Sequence, residues 1–333
     1  MIKTAIVILN WNTREHLKTF LPFLIKYSSS DDVRIVVADN ASSDDSVSFL
    51  KENYPQVDLI LLDKNYGFAE GYNRALCQVK AEYYIILNSD IEVTENWISP
   101  LVELLEKNPE IAACMPKLRS YFNRDYFEYA GSAGGYIDKY GYPFCKGRVF
   151  QTLEKDNGQY DGIHQVFWAT GACMVVKAKI FHEMGGFDPY FFAHQEEIDL
   201  CWRLQNHGYK IYCTTQSVLY HLGGGTLPKS NPHKTYLNFR NNLVLLYKNL
   251  PRKVWYQRLF LRLVLDGIAA LKFAVGSQPS EFWAVFRAHM SFYKYLLKNK
   301  TTKASNKPLA LIHQKSIVYQ YFVQKKKFFS ELN

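Results

Sequence analysis

The chain has 333 residues, of which 48% are hydrophobic, and a formal net charge of +9. This is the composition of an ordinary globular protein, long enough for one large domain or two smaller ones. Its six cysteines form no CxxC pair and no metal-finger spacing, which indicates buried, reduced thiols in a reducing compartment and argues against a disulfide framework.

The positive charge is concentrated toward the C-terminus. Residues 251–333 contain 15 Lys or Arg and only three acidic residues, whereas residues 1–250 contain 25 basic and 28 acidic residues. A compositional change of this size marks a boundary between two regions. We place it so that a first domain covers residues 1–226 and a basic, aromatic-rich helical region covers residues 227–333.

Strands and helices are expected to alternate through the first ninety residues. Apolar runs predict strands at 5–9, 34–38, 59–62 and 83–87, and helical spacing predicts helices at 13–28, between 42 and 55, and at 67–80. This alternation predicts an α/β fold with a mostly parallel sheet flanked by helices, and a ligand crevice outside the carboxyl ends of the strands. The first apolar run is too short for a signal peptide, so we expect the chain to start in the cytosol.

Polar side chains follow the second and the fourth of these strands. Asp39 comes directly after one, and Asn88 and Asp90 come after the other. Hard divalent cations bind such oxygens and keep positions open for phosphate, so the strand ends predict a site for a cation and a diphosphate. Turn formation is the alternative role. No GxGxxG follows the first strand and neither GxxxxGKS nor GxxxxGKT occurs, which argues against a Rossmann dinucleotide site and a P-loop.

A later segment, EEIDLCWRL at residues 196–204, predicts an amphipathic helix that opens on acidic side chains. Acids at a helix N-terminus can simply complement the helix dipole, or one of them can accept a proton from a hydroxyl group. Asp199 and Arg203 are spaced as an i, i+4 ion pair. Upstream, residues 119–165 are rich in Tyr, Gly and charge without a clear period, and we expect a mobile loop over the site.

The C-terminal region has the pattern of amphipathic helices at a membrane surface. Its most apolar run, residues 259–276, is interrupted by Arg262, Asp266 and Lys272, which argues against a transmembrane span. Lys and Arg interleave with Trp, Phe and Tyr, as in helices that lie on anionic lipid. The alternative is a basic helical subdomain packed on the first domain. A nucleic-acid partner is not expected, because no nucleic-acid-binding module is visible.

Seven motifs, in chain order, carry a resemblance to a known family. They are VILNWN (7–12), VVADNASSD (36–44), NYGFAEGYNRA (65–75), LNSD (87–90), WATGACMVVKAKIF (168–181), GGFDPYFFAHQEEIDLCWRL (185–204) and YHLGGGT (220–226). Together they resemble the family 2 glycosyltransferases, especially the bacterial rhamnosyltransferase-like members, over nearly all of residues 4–226.

The resemblance implies a GT-A-like catalytic domain and an inverting, metal-dependent glycosyltransferase. Such an enzyme moves a sugar from a nucleotide-diphospho-sugar, here a UDP- or dTDP-sugar, to a hydroxyl of a glycan or lipid-linked acceptor in cell-surface polysaccharide synthesis. With the basic tail, it implies a place at the inner face of the cytoplasmic membrane. The alternatives are a sugar-nucleotide-forming nucleotidyltransferase, whose usual N-terminal Gly-rich phosphate loop is absent from VILNWNTREH, and a non-catalytic nucleotide-sugar-binding protein.

The resemblance also implies roles for individual residues. Those implied to bind the donor nucleotide are Asn10, Asn12, Asp39, Asn65, Gly67, Asn73 and Asn88. The implied ligands of a divalent cation, Mn²⁺ or Mg²⁺, are Asp90, Asn88 and His221, with Asn88 in place of the first carboxylate of the family's DxD-type motif. Glu197, at the position of the Asp in the family's Glu-Asp pair, is implied to be the catalytic base, with Glu196 as the second choice. The residues implied to shape the acceptor and sugar pocket are Trp168, Gly171 and Asp188.

Overall fold

The structure, a computed structural model, describes residues 2–223, 231–299 and 311–332. Its first part alternates strands and helices as the sequence predicts. These elements are β1 (Ile2–Asn10), α1 (Arg14–Ser28), β2 (Val33–Asp39), α2 (Ser46–Asn53), β3 (Asp58–Leu61), α3 (Gly67–Leu76) and β4 (Ala81–Leu87). The main difference in boundaries is that α3 ends four residues earlier than the expected end at Lys80.

The remaining elements include several short strands that the sequence pattern did not predict. They are β5 (Ile91–Glu92), α4 (Ser99–Lys107), β6 (Ile111–Ser120), β7 (Gly135–Asp138), β8 (Pro143–Cys145), β9 (Arg148–Val149), β10 (Thr152–Leu153), β11 (Ile163–Val166), β12 (Cys173–Lys177), α5 (Ala178–Glu183), α6 (Glu196–Asn206), β13 (Lys210–His221), α7 (Pro232–Asn249), α8 (Arg252–Val275), α9 (Pro279–Lys298) and β14 (Ile312–His313).

One mixed sheet forms the centre of the protein, with strand order β11-β13-β6-β12-β4-β1-β2-β3 and β5 paired to β13. The four N-terminal strands pair in parallel, as predicted. Beyond β4 the sheet becomes mixed, because β12 lies antiparallel between β4 and β6. The end of β13 pairs with β5, where His221 is the register partner of Ile91. This pairing brings His221 beside the residues that follow β4.

Helices cover both faces of this sheet, which explains why its strands are continuous apolar runs. Alternate side chains of β1 enter two different cores. Ile6 and Ile8 pack with helices α1, α2 and α4, whereas Ala5 and Val7 pack on the opposite face with α3, α5, α6 and α7. All six cysteines are free, and five of them are buried as expected, whereas Cys77 is exposed.

Residues 119–165 do not form the expected mobile loop. Four short strands of this segment form a second sheet of order β10-β9-β8-β7-β14, whose core contains the buried side chains of Phe144 and Val149. Lys117 pairs with the buried Asp156 at 2.8 Å and fixes the segment to β6. The sequence showed no period because strands of two to four residues are too short to display one.

The C-terminal residues return to this second sheet, so they are not a separate appendage. β14 pairs in parallel with β7, and the buried Asp138 carboxylate accepts hydrogen bonds from the backbone N–H groups of Ile317, Tyr140 and Tyr142. Burial raises the pKa of Asp138 to about 6. The expected domain boundary after residue 226, and the last three residues of the motif YHLGGGT, lie outside the described residues.

Helices α8 and α9 carry apolar side chains on surfaces that no part of the described chain covers. The exposed residues recur at helical spacing and are Tyr256, Phe260, Val264, Ile268, Leu271 and Val275 on α8, and Trp283, Phe286, Met290, Tyr293 and Leu297 on α9. We call these two sets the α8 stripe and the α9 stripe. Within the described residues, no helix is long and apolar enough to cross a membrane.

Candidate active site

The carboxyl ends of β1 and β2 meet at one edge of the sheet, as predicted. Asn10 and Asp39 are register partners and are both buried. The Asn10 side-chain amide donates to the Asp39 carboxylate at 2.7 Å and to the Ser42 hydroxyl at 3.0 Å. The Thr13 hydroxyl lies 2.6 Å from Asn10 Oδ1 and 3.0 Å from Ser89 Oγ, and so connects this edge to the end of β4.

Asn40 was not among the expected site residues, yet it organises the next part of this edge. Its side-chain amide donates to Asn65 Oδ1 at 3.0 Å and to the Gly67 carbonyl at 3.1 Å, and its Oδ1 accepts from the Tyr66 N–H. Asn65 Oδ1 also accepts from the Gly67 N–H at 2.8 Å. Asn40 directly follows Asp39 in the motif VVADNASSD, which is the signal that could have identified it.

Two of the expected donor-binding residues, Asn12 and Gly67, determine the backbone conformation in this region. Asn12 is exposed, has a left-handed φ of 54°, and accepts a hydrogen bond from the Ser43 N–H at 2.7 Å. Gly67 has a φ of +74°, and a Cβ there would lie 2.5 Å from the Phe192 ring. The Phe192 carbonyl accepts from the N–H groups of Phe68 and Ala69 at the start of α3. Gly67 is therefore required by its φ and by the close approach of Phe192.

A buried charge cluster joins the segment after β4 to the end of β13. His221 Nε2 lies 3.2 Å from Asp90 Oδ1, and His221 Nδ1 lies 3.0 Å from Glu128 Oε2. Burial alone would lower the pKa of His221, but the two carboxylates raise it well above its usual value. Burial likewise opposes ionisation of Asp90 and Glu128, yet the His221 charge lowers the pKa of each. Glu128 was not expected, because it is remote in sequence from both partners.

A divalent cation fits between Asp90 and His221. Their facing atoms are 3.2 Å apart, close to the ~3.0 Å between adjacent ligands that lie about 2.1 Å from an octahedral ion. Glu128, on the other ring nitrogen, is placed as the carboxylates that orient metal-binding histidines are placed. Asn88 is half-buried at the end of β4. In the described part of the chain, no group of three His, Cys, Asp or Glu side chains is arranged to hold an ion, so among these residues Asp90 and His221 are the candidate strong ligands.

The two acids that open α6 have a different environment. Glu196 is buried and Glu197 is half-buried, and one oxygen of each carboxylate, Oε2, is itself buried and has no hydrogen-bond partner among the described residues. Burial raises the pKa of Glu197 to about 7. Burial, and then the charge of Glu197, raise the pKa of Glu196 well above its usual value. Carboxyl groups with raised pKa values and free oxygens are typical of proton-transfer sites.

The negative charge of Asp199, the third acid of this helix, is balanced by basic and amide partners. It forms the expected i, i+4 pair with Arg203 at 2.8 Å, and also contacts Lys248 and Asn249. Burial opposes its ionisation, but the charges of Arg203 and Lys248 lower its pKa. Asp199 therefore orients α6 and links it to α7, and it is not a candidate base.

The expected acceptor-pocket residues lie in three different places. The Trp168 indole is in the core, with 4% of its surface exposed; it covers Gly135 and donates to the Tyr136 carbonyl at 2.9 Å. These contacts are those of a core residue, and the expected sugar contact of Trp168 stays a prediction. Gly171 does lie beside the acids, since a Cβ there would be 4.0 Å from Glu196 Oε1. Asp188 caps a short 3₁₀ turn through the Tyr190 N–H and pairs with Lys248.

Asn73 is also structural in its contacts. Its amide donates to the Phe187 carbonyl at 2.8 Å, and its Oδ1 accepts from the Phe187 N–H at 2.9 Å. A second side chain, Arg203, donates to the carbonyls of Met184 and Gly186. The segment that leads to α6 is thus fixed by Asn73 and Arg203, and the Asn73 amide is engaged before any donor binds.

The segment just before Glu196 has strained backbone that α7 holds in place. Phe192, His194 and Gln195 all have positive φ, at a cost of about 1–3 kcal/mol each. Arg240 donates to the carbonyls of residues 190 and 191. Asn241 donates to the carbonyls of residues 191, 193 and 194 at 2.7–2.9 Å. These two side chains were not expected from the sequence, and they set the conformation from which Glu196 and Glu197 project.

The sequence profile of Glycosyl transferase family 2 matches residues 5–185, which is more than half of the chain. The chain belongs to glycosyl transferase family 2. It is therefore a glycosyltransferase, as the motifs implied. The N-acetylglucosaminyl-diphospho-decaprenol L-rhamnosyltransferase of Mycobacterium tuberculosis is 25% identical over 240 residues, which cover 66% of this chain and 76% of that protein.

Two solved structures share the fold and confirm the expected GT-A-like architecture. GalNAc-T7, in complex with UDP, GalNAc and Mn²⁺, matches with a TM-score of 0.59 and 17% identity, over 74% of this chain and 48% of that one. The mannosyltransferase PcManGT from Pyrobaculum calidifontis, in complex with GDP-Man and Mn²⁺, matches with a TM-score of 0.54 and 14% identity over 87% of each chain.

The role of Asn241 leads to a prediction for this glycosyltransferase. Asn241→Ala leaves the carbonyls of residues 193 and 194 without this donor and that of residue 191 with Arg240 alone, so we expect the acids of α6 to shift from their positions. We expect kcat to fall by roughly 10²-fold, as for a displacement of about 1 Å at a reacting group, with the KM for the donor little changed. Steady-state kinetics test this, with Asn238→Ala as the matched control, because the hydrogen bond of Asn238 with this segment is made by its backbone carbonyl, which the substitution keeps. An equal loss in both variants would contradict a positioning role.

Proposed function

We propose that this protein transfers a sugar, with inversion, from a nucleotide-diphospho-sugar to a hydroxyl group of a lipid-linked or glycan acceptor in cell-surface polysaccharide synthesis. The observation that carries the proposal is the proximity of two groups of carboxylates whose pKa values shift in opposite directions. They are Asp90 with Glu128, whose pKa values are lowered, and Glu196 with Glu197, whose pKa values are raised. The Asn88 N–H, two residues before Asp90, donates to the Ala172 carbonyl at 3.0 Å, and a Cβ on the preceding Gly171 would lie 4.0 Å from Glu196 Oε1. The acids of α6 therefore lie near the segment that carries the candidate cation ligands.

The donor is proposed to bind along the edge formed by β1, β2 and β4. Asn10 and Asp39 lie there for the nucleoside, and Asn65 and Gly67 lie on the other side of the same edge. UDP- or dTDP-sugars are the proposed donors, and the presence of UDP in a structure of similar fold supports a nucleotide at this edge. The contacts of Asn73 give it a supporting role, in which it fixes the segment beside the donor.

The chemistry divides between the two carboxylate groups. Asp90, Asn88 and His221 would hold a divalent cation, Mn²⁺ or Mg²⁺, which stabilises the negative charge that develops on the leaving diphosphate. Glu128 keeps the His221 ring oriented through Nδ1. Glu197 takes the proton from the acceptor hydroxyl as that oxygen attacks the anomeric carbon from the face opposite the diphosphate. Its raised pKa suits a general base that works near neutral pH.

The N-terminal and C-terminal regions are proposed to divide the work. Residues 1–226 carry out the transfer, and residues 227–333 place it on the inner face of the cytoplasmic membrane. Two features support the membrane contact: the apolar α8 and α9 stripes, and the sign of the exposed charges beside them. Among the described side chains of α8 and α9, the exposed charged residues are all basic, namely Lys253, Lys272, Arg287, Lys294 and Lys298. Such surfaces bind anionic lipid.

The metal site predicts the behaviour of Asp90→Ala. Because Asp90 is the only carboxylate of LNSD, its loss should abolish Mn²⁺-dependent binding of UDP or dTDP and the turnover of a panel of sugar nucleotides. Calorimetric titration with and without Mn²⁺ measures the first effect directly. Asp31→Ala, in an exposed turn, is the matched control. Full nucleotide binding and turnover by Asp90→Ala, or by the native protein in chelator, would contradict the proposed site.

The assignment of Glu197 as the base predicts both the effect of its substitution on the transfer rate and the pH dependence of kcat/KM. Glu197→Gln should keep its affinity for the donor and lose roughly 10²- to 10⁴-fold in transfer rate, whereas Glu52→Gln on the exposed face of α2 should not. Since Glu197 must be ionised to accept a proton, kcat/KM for the acceptor should fall as the pH drops below about 7. A larger loss in Glu196→Gln would move the assignment to that residue.

The membrane contact predicts preferential binding to anionic vesicles. The intact protein should sediment with anionic vesicles more than with neutral ones, and part of this binding should disappear at high salt because screening shortens the range of the attraction. Phe260→Ser with Leu271→Ser should weaken binding to both vesicle types. Leu61→Ser, at an exposed apolar residue of the edge strand β3, should not. Negligible binding under all conditions would overturn the proposal.

A further inference from the structure

A pocket outside the residues assigned above opens between α7 and α9. It is shallow, has a volume of about 300 Å³, and is lined by His233, Tyr236, Arg287, Met290, Ser291 and Lys294. Tyr236 donates a hydrogen bond to Ser291 Oγ at 3.0 Å across the two helices, and the Arg287 guanidinium lies over the Tyr236 ring. These contacts form a floor beneath two basic side chains that are themselves exposed.

The pocket adjoins the segment that positions the catalytic acids. The ring of His233 contacts the ring of Phe192, with 6.5 Å between their centroids. Phe192 packs against Gly67 at the donor edge and precedes Glu196 by only four residues. A ligand in this pocket would therefore lie beside the active site, on the side where α7 and α9 meet the segment before α6.

The surroundings of the pocket are positively charged. In the described part of the chain, its lining includes Arg287 and Lys294 and no acidic side chain. The pKa of the neighbouring His194 is lowered to about 4, first by burial and then by the charges of Lys234 and His233. Two cationic groups at an open pocket suit phosphate oxygens, which accept several charge-assisted hydrogen bonds.

The pocket is also continuous with an apolar surface. Met290 belongs both to its lining and to the α9 stripe, with Phe286 and Tyr293 one turn away on either side. A ligand that fits both parts has an anionic head and an apolar chain. The chain would lie along the α9 stripe, where the proposed membrane contact already places lipid.

We infer that this pocket binds the diphosphate of a lipid-linked sugar acceptor, with the lipid chain along the α9 stripe and the sugar directed toward Glu197. The inference rests on the proposed function, and it assigns the acceptor a place that the donor-edge residues do not provide. An ordinary membrane phospholipid would also offer a phosphate and apolar chains. The position of the pocket beside the segment that carries the acids favours the acceptor, because the acceptor's sugar must reach the base.

Binding of a substitute ligand tests the pocket directly. Farnesyl diphosphate supplies both the diphosphate and an apolar chain, farnesol lacks the charge, and inorganic diphosphate lacks the chain. With the donor edge saturated by UDP and Mn²⁺ (or dTDP and Mn²⁺), calorimetry should show farnesyl diphosphate binding at least about 10-fold more tightly than either part alone. Arg287→Gln with Lys294→Gln should weaken it by about 10-fold or more, since each charge-assisted contact contributes substantially.

A matched control and a kinetic measurement complete the test. Lys298→Gln removes an exposed charge one turn from Lys294 but outside the pocket, and should change the affinity less than twofold. In transfer assays, the double variant should raise the KM for a diphosphate-linked acceptor more than the KM for an alkyl glycoside that lacks the diphosphate. Unchanged affinity in the double variant, equally tight binding of farnesol, or a loss confined to anionic vesicles would overturn the inference. Failure of the native protein to turn over any sugar nucleotide would instead overturn the proposed function.

Discussion

The active site depends on how the backbone carbonyls of residues 190–194 are satisfied. Those of residues 190, 191, 193 and 194 accept hydrogen bonds from Arg240 and Asn241, and that of Phe192 accepts from the first N–H groups of α3. Buried carbonyls without partners are costly, so this segment keeps its strained conformation only while α3 and α7 are in place. The donor edge and the acids of α6 are therefore set by the same few hydrogen bonds.

Two groups of buried carboxylates show how their surroundings decide their chemistry. Asp90 and Glu128 share His221, and its charge lowers the pKa of each despite burial. Glu196 and Glu197 lie at the start of α6, where burial raises the pKa of both, and the charge of Glu197 raises that of Glu196 further. Carboxyl groups with raised pKa values suit proton transfer. A cation that binds His221 Nε2 would have to replace the proton on that nitrogen, because only a neutral imidazole can ligate a metal. Two pairs of carboxylates with opposite pKa shifts thus belong to the same site.

The basic C-terminal region is structurally part of the unit that holds the site. Lys248 and Asn249 at the end of α7 compensate Asp199 on α6. Arg262 of α8 contacts Asn242 of α7 and the Tyr140 carbonyl, and β14 completes the second sheet. Of the two alternatives that the sequence left open, this packing agrees with a subdomain on the catalytic part. The α8 and α9 stripes are uncovered within the described residues, and their contact with lipid stays a prediction.

The sequence by itself determined the elements whose signals are local. The alternation of β1 to β4 with their helices, the polar strand ends at Asp39 and Asp90, and the Asp199–Arg203 pair all follow from spacing along the chain, whereas Asn10 and the family follow from seven ordered motifs. Only the tertiary structure decided which distant groups meet. Glu128 reaches His221, and Asn241 reaches the segment before α6, through strand pairing and helix packing that no local pattern encodes. The same reason explains why the strands between residues 119 and 165 were missed, because they are too short to show a period, and only the structure shows that Gly135 allows the Trp168 indole to pack against its backbone.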